Sequence, residues 1–76
     1  MPQLPRVTSG EIVRVLEKMG FRLSRSSGNH FIYRNENGVR VTVPCHAGQI
    51  LHPKVLQSIM EDSRLSVEEL IERLRQ

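Results

Sequence analysis

The chain reads as one small α+β domain in the order α-β-β-β-α-α, a three-stranded antiparallel sheet with helices on one face. Three observations carry this. Thr8 to Glu11 and Ser66 to Glu69 are capping boxes, each opening a run of apolar residues at helical spacing. Between them lie short apolar/polar alternations separated by Gly and Asn turns. The 76 residues leave room for a single core, because a chain of this size buries only about 60% of the surface its unfolded form exposes. The domain is expected over residues 7–76, behind a flexible tail over residues 1–6 that holds two prolines.

The first helix starts at the Thr8 cap, carries Ile12, Val13, Leu16 and Met19 on one side, and stops at Gly20 in a left-handed conformation. Phe21 then packs back on the last turn. Phe21 to Arg25 alternates and reads as a half-buried strand, with turn chemistry over Ser26 to Asn29. His30 to Arg34 is the second strand, Asn35 to Gly38 a hairpin turn, and Val39 to Val43 the third strand, ended by Pro44. Cys45 to His52 is a loop containing Gly48. Pro53 suits the first turn of a helix bearing Val55, Leu56, Ile59 and Met60. Val67, Leu70, Ile71 and Leu74 form the stripe of the last helix. Repeats, low-complexity segments and internal linkers are absent from the sequence.

Two registers compete for the second hairpin. A two-residue loop at Asn37-Gly38 pairs residue 36 with 39 and sets Ile32 against Val43. A three-residue loop over Glu36 to Gly38 pairs 35 with 39, so that Phe31 opposes Val43 and Tyr33 opposes Val41. The second is preferred because it gathers Phe31, Tyr33, Val39, Val41 and Val43 on one face and keeps Arg34 and Arg40 off it. In either register His30 lies near Pro44 to His46.

Charge narrows the partners. Through Met60 there are eight Lys/Arg against three acids, and from Glu61 onward three Arg against five acids. Nine of the eleven basic residues are Arg, whose planar fork suits phosphate better than the point charge of Lys. A polyanion, nucleic acid first, is the favoured partner. Arg22, Arg25, Arg34, Arg40 and Lys54 are the candidate RNA-binding residues. The single cysteine excludes an internal disulfide framework. No apolar run approaches a membrane span, and the N-terminus lacks the apolar region of a signal peptide, so the cytoplasm is expected.

His30 is the leading candidate for chemistry. It follows a Ser-Ser-Gly-Asn turn and opens a strand beside Arg25, Arg34 or Arg40, whose charge favours a neutral imidazole able to accept a proton. Against RNA, such a group can take the proton of a ribose 2′-hydroxyl while Arg steadies the phosphoryl oxygens. The bland reading is a surface histidine at a strand start. His46 is a candidate second acid/base member, or a cap for the second helix; His52 reads as a residue leading into that helix. Cys45 reads as a buried, inert thiol rather than a nucleophile. His30, Cys45, His46 and His52 lack the spacing of a zinc site, so neither metal nor other cofactor is expected. Phe31 and Tyr33 could stack bases, but with three aromatic residues in the chain the core needs them more. The acidic last helix reads as a solvated face whose stripe packs on the domain or docks a partner.

Gly28-Asn29-His30-Phe31-Ile32-Tyr33, then Val43-Pro44-Cys45-His46-Ala47-Gly48, then Leu56-Gln57-Ser58-Ile59, resemble the HicA family of toxins in order and spacing, from about Thr8 to the start of the last helix. The resemblance implies a fold like that of a double-stranded RNA-binding domain. It implies metal-free endonucleolytic cleavage of mRNA and restraint by a HicB antitoxin that covers the active site. The family's Gly-Ser-His motif falls on Gly28, Asn29 and His30, which makes His30 the implied catalytic histidine; Asn29 stands where Ser is usual. The family's Val-Pro-x-His segment falls on Val43 to His46 and makes His46 an active-site neighbour. A non-catalytic RNA-binding module and a protein-interaction domain are the other readings, the first binding RNA without cutting it and the second not binding it at all.

Overall fold

Helix α1 (Ser9–Lys18), strands β1 (Arg22–Ser27), β2 (His30–Arg34) and β3 (Arg40–Pro44), and helices α2 (Pro53–Ser63) and α3 (Val67–Leu74) follow one another in the computed structural model, which describes residues 4–46 and 48–76. The α+β order expected from the sequence is the observed one. The strands form an antiparallel sheet in the order β1-β2-β3. The helices lie on one side of it, α2 and α1 against β3 and α3 against α1.

Local chemistry explains the ends of each element. The Thr8 hydroxyl accepts from the Glu11 amide at 3.2 Å, and the Glu11 carboxylate accepts from the Thr8 amide at 2.9 Å, completing the first capping box. Gly20 takes φ 98°, so the chain turns back and the Phe21 amide donates to the Leu16 carbonyl at 2.9 Å. Ser66 and Glu69 repeat the box at α3. The end of α2 is different: Arg64 adopts φ 59° and ψ 35°, a left-handed conformation that the sequence does not announce with a glycine.

The core gathers Ile12, Val15 and Leu16 of α1, Tyr33, Val41 and Val43 of the sheet, Leu56 and Ile59 of α2 and Leu70 of α3, all buried. Phe31 and Val39 are half-buried against it. Of the tail expected over residues 1–6, residues 1–3 lie outside the described residues, while Leu4 packs against the core. Ala47, in the loop expected over Cys45 to His52, also lies outside them. That loop is anchored where Ile50 bridges Thr8 and the Leu51 amide donates to the Val7 carbonyl at 2.8 Å.

The preferred hairpin register is the observed one. Phe31 pairs with Val43, Tyr33 with Val41 and Arg34 with Arg40. The Asn35 amide donates to the Val39 carbonyl at 3.2 Å, and Gly38 takes φ 78° in the three-residue loop. The expectation for the first strand is corrected. β1 runs from Arg22 to Ser27 and none of its residues is buried; Leu23 is 51% exposed. Its register shifts between Leu23 and Arg25, leaving Ser24 as the extra residue of a bulge. The helices pack chiefly on β3, so β1 overhangs the helical layer and its alternation has nothing to be buried against. Ser26 and Ser27 belong to the strand, and only Gly28-Asn29 turns.

Candidate active site

The turn between β1 and β2 sets His30. Ser27 pairs with His30, so two residues, Gly28 and Asn29, make the loop, and Gly28 takes φ 57°. A glycine at the first central position suits the right-handed twist of a two-residue hairpin. His30 thus becomes the first residue of β2, and its other neighbour is Pro44 of β3. Beyond this pair the Cys45 amide donates to the Asn29 carbonyl at 2.6 Å. The chain leading to His46 is therefore held against the turn that presents His30, as the sequence implied. His30, His46, Gly28 and Asn29 are all exposed.

Residues directly opposite in antiparallel strands share a face. The pairings sort the sheet face turned away from the helices into three rows: Ser27, His30 and Pro44; Arg25, Ile32 and Thr42; Arg22, Arg34 and Arg40. All four arginines expected to bind RNA stand on this face and are exposed. None of the nine positions holds an acid, and the four arginines lie in two of the three rows. Successive rows lie about 7 Å apart at the usual strand rise. Arg25 is therefore the arginine nearest the His30 row, while Arg34 and Arg40 occupy the far end.

The remaining candidates lie elsewhere. His52 caps α2, its Nδ1 accepting from the Lys54 amide at 3.1 Å; the alternative of His46 as that cap is thereby corrected. Lys54 is exposed in the first turn of α2, in the helical layer and off the open sheet face. Cys45 is half-buried against the core. Tyr33 is buried and Phe31 half-buried on the core side, so neither offers a ring to a base. Burial, with Glu17 and then Cys45 adding repulsion, raises the Tyr33 phenol above its usual 10.0. Among the described residues no cluster of three or more His, Cys, Asp or Glu is grouped to hold a metal ion, and no helix is long and apolar enough to cross a membrane.

Ser27, directly across from His30, was not singled out by sequence reasoning. The signal was present: a two-residue Gly-Asn hairpin loop would have placed Ser27 opposite His30, whereas a four-residue turn removed it from the sheet.

No curated protein matches the chain. A family model does, described as HicA toxin of bacterial toxin-antitoxin, over residues 9–65. The matched span begins at the first residue of α1, takes in the whole sheet with His30, and ends just after α2. With three-quarters of the chain covered, including every element that forms the open face, the chain belongs to the HicA toxins of bacterial toxin–antitoxin systems.

Proposed function

We propose that this toxin is an endoribonuclease that cleaves mRNA in the cytoplasm without a metal, using His30 as general base on the open face of the sheet. The observation that supports this most is the face itself: four exposed arginines from three strands, no acid among them, and an exposed histidine at one end. Arginines of this kind bind phosphate backbone.

The chemistry follows from the arrangement. His30 takes the proton of a ribose 2′-hydroxyl, and the 2′-oxygen attacks the adjacent phosphorus. The bond to the 5′-oxygen breaks, leaving a 2′,3′-cyclic phosphate and a 5′-hydroxyl end. His46, on the segment tied to Asn29, supplies the proton to the leaving oxygen. Arg25, one row away from His30, steadies charge on the phosphoryl oxygens. One positioned base contributes about 10²–10⁴-fold, so the enzyme is slow, which suffices for arresting growth. The partner of the pair is a HicB-like antitoxin that covers this face.

The test is an RNA cleavage assay in EDTA with wild type and His30→Ala side by side, each checked for fold by circular dichroism. Cleavage by wild type alone is expected. Binding by both with cutting by neither supports the second reading, a non-catalytic RNA-binding module, which the same cationic face also suits. Cutting by both removes His30 from the mechanism.

A further inference from the structure

We infer that Arg22, Arg34 and Arg40 form a second phosphate subsite that grips the RNA strand about 14 Å from His30. The inference rests on the ribonuclease reading and concerns what the enzyme requires of its substrate.

The three arginines come from three strands and stand in one cross-strand row, with Arg34 directly opposite both others. Like charges directly opposite one another across strands destabilise a sheet. The row thus keeps a standing repulsion that a bound anion relieves. The nearest acid in sequence, Glu36, lies in the β2–β3 turn rather than on the face. Arg34 stands four positions along β2 from His30, which sets the row about 14 Å from the reacting group. A stacked strand advances about 3.4 Å per nucleotide, so the gap corresponds to about four nucleotides, fewer if the strand is extended. Arg25, Ile32 and Thr42 make up the row between, and none of the nine positions of the face is Phe, Tyr or Trp. The strand is therefore held by its backbone at two separated points, and length rather than base identity governs affinity there.

The experiment compares a ten-nucleotide RNA carrying a cut site mapped on a long transcript with the dinucleotide spanning the same bond. Wild type is expected to cleave the longer RNA with kcat/KM at least about tenfold higher. In Arg34→Gln/Arg40→Gln the two substrates converge, chiefly through KM. Binding of the longer RNA, followed in a His30→Ala background so that it stays intact, loses about 1.4 from its log–log salt slope when both arginines are replaced, at about 0.7 per phosphate contact. Arg22→Gln/Arg40→Gln repeats the test with β2 untouched, so one strand's tolerance of substitution does not decide the result. Equal kcat/KM on both lengths in wild type, or an unchanged length preference in both double variants, overturns the subsite while the ribonuclease reading stands. No cleavage of the long transcript by wild type overturns both.

Discussion

The amide of Cys45 donates to the carbonyl of Asn29 at 2.6 Å, one step beyond the pairing of His30 with Pro44. Hydrogen-bonded and non-hydrogen-bonded pairs alternate along an antiparallel ladder. Asn35–Val39 is bonded and His30–Pro44 is not, so the missing amide hydrogen of Pro44 costs the ladder nothing and the Cys45–Asn29 bond is its next regular rung. The ladder thus runs past β3 and fastens the approach to His46 onto the turn that presents His30. Cys45→Pro removes that donor, whereas Cys45→Ala keeps it and loses only the thiol's packing. Cys45→Pro is expected to be less stable than Cys45→Ala by at least about 0.5–1.5 kcal/mol and to cleave RNA more slowly. Urea denaturation and the cleavage assay read both effects; equal stability of the two variants removes the bond from the account.

Tyr33 offers a direct probe of core integrity, because it is the only tyrosine and there is no tryptophan. Burial first, then Glu17 and Cys45, raises its phenol above 10.0. Up to the unfolded value both states keep the proton, and the contribution of this group to stability is fully present. Above it the unfolded chain releases the proton first and binds fewer protons than the folded one, so stability falls as pH rises through the folded value. Near-ultraviolet absorbance is expected to show Tyr33 ionising at higher pH in buffer than in urea. Tyr33→Phe should flatten the loss of stability above about pH 10. Coincident titrations in the two solvents contradict the burial argument.

The hairpin register was legible because two independent pressures agreed: Gly38 supplied a left-handed turn position, and the three-residue loop kept Arg34 and Arg40 away from the valines. Both capping boxes were legible for a similar reason, since each is a local exchange of hydrogen bonds that owes little to the rest of the fold. β1 was misread because its alternation resembles a buried strand, and only the placement of the helices over β3 decides that Leu23 stays exposed. Ser27 is hard to place for a different reason: the composition of Ser26 to Asn29 suits a turn of two residues or of four, and only the two-residue turn sets Ser27 opposite His30. The juxtaposition of His30 with Pro44 to His46 needed no side-chain detail, because any antiparallel hairpin brings those positions together.

Arg64 marks a place where local conformation and residue type disagree. It ends α2 in the left-handed region at φ 59°, which costs an L-residue with a side chain about 1–2 kcal/mol and glycine far less. The turn is held by the Leu65 amide donating to the Met60 carbonyl at 2.9 Å, with Leu65 buried. Arg64→Gly is therefore expected to stabilise the domain by up to about 1 kcal/mol. Its exposed side chain lies off the open sheet face, so RNA cleavage should persist. A lower melting temperature in Arg64→Gly than in Arg64→Ala contradicts this.

Helix α3 lies beyond the family match, which ends at residue 65, yet it is built into the domain. Leu70 is 0% exposed in the common core. Lys18 of α1 reaches the far end of α3, its Nζ donating to the carbonyls of Arg73 at 3.2 Å and Gln76 at 2.8 Å. A cation there meets the negative end of the helix dipole. α1 in turn packs on both α3 and β3, and β3 pairs with β2, the strand that begins at His30. Loosening α3 should therefore be felt across the sheet. Leu70→Ala is expected to cost about 2–5 kcal/mol, a large share of what a domain this small possesses, and to lower amide protection in β2 and β3 as well as in α3. Lys18→Met should do much less, because the pair is exposed and screened, and its loss of protection should stay confined to the last turn of α3. Unchanged exchange in β2 and β3 with Leu70→Ala would show that α3 folds on its own account and leaves the site untouched.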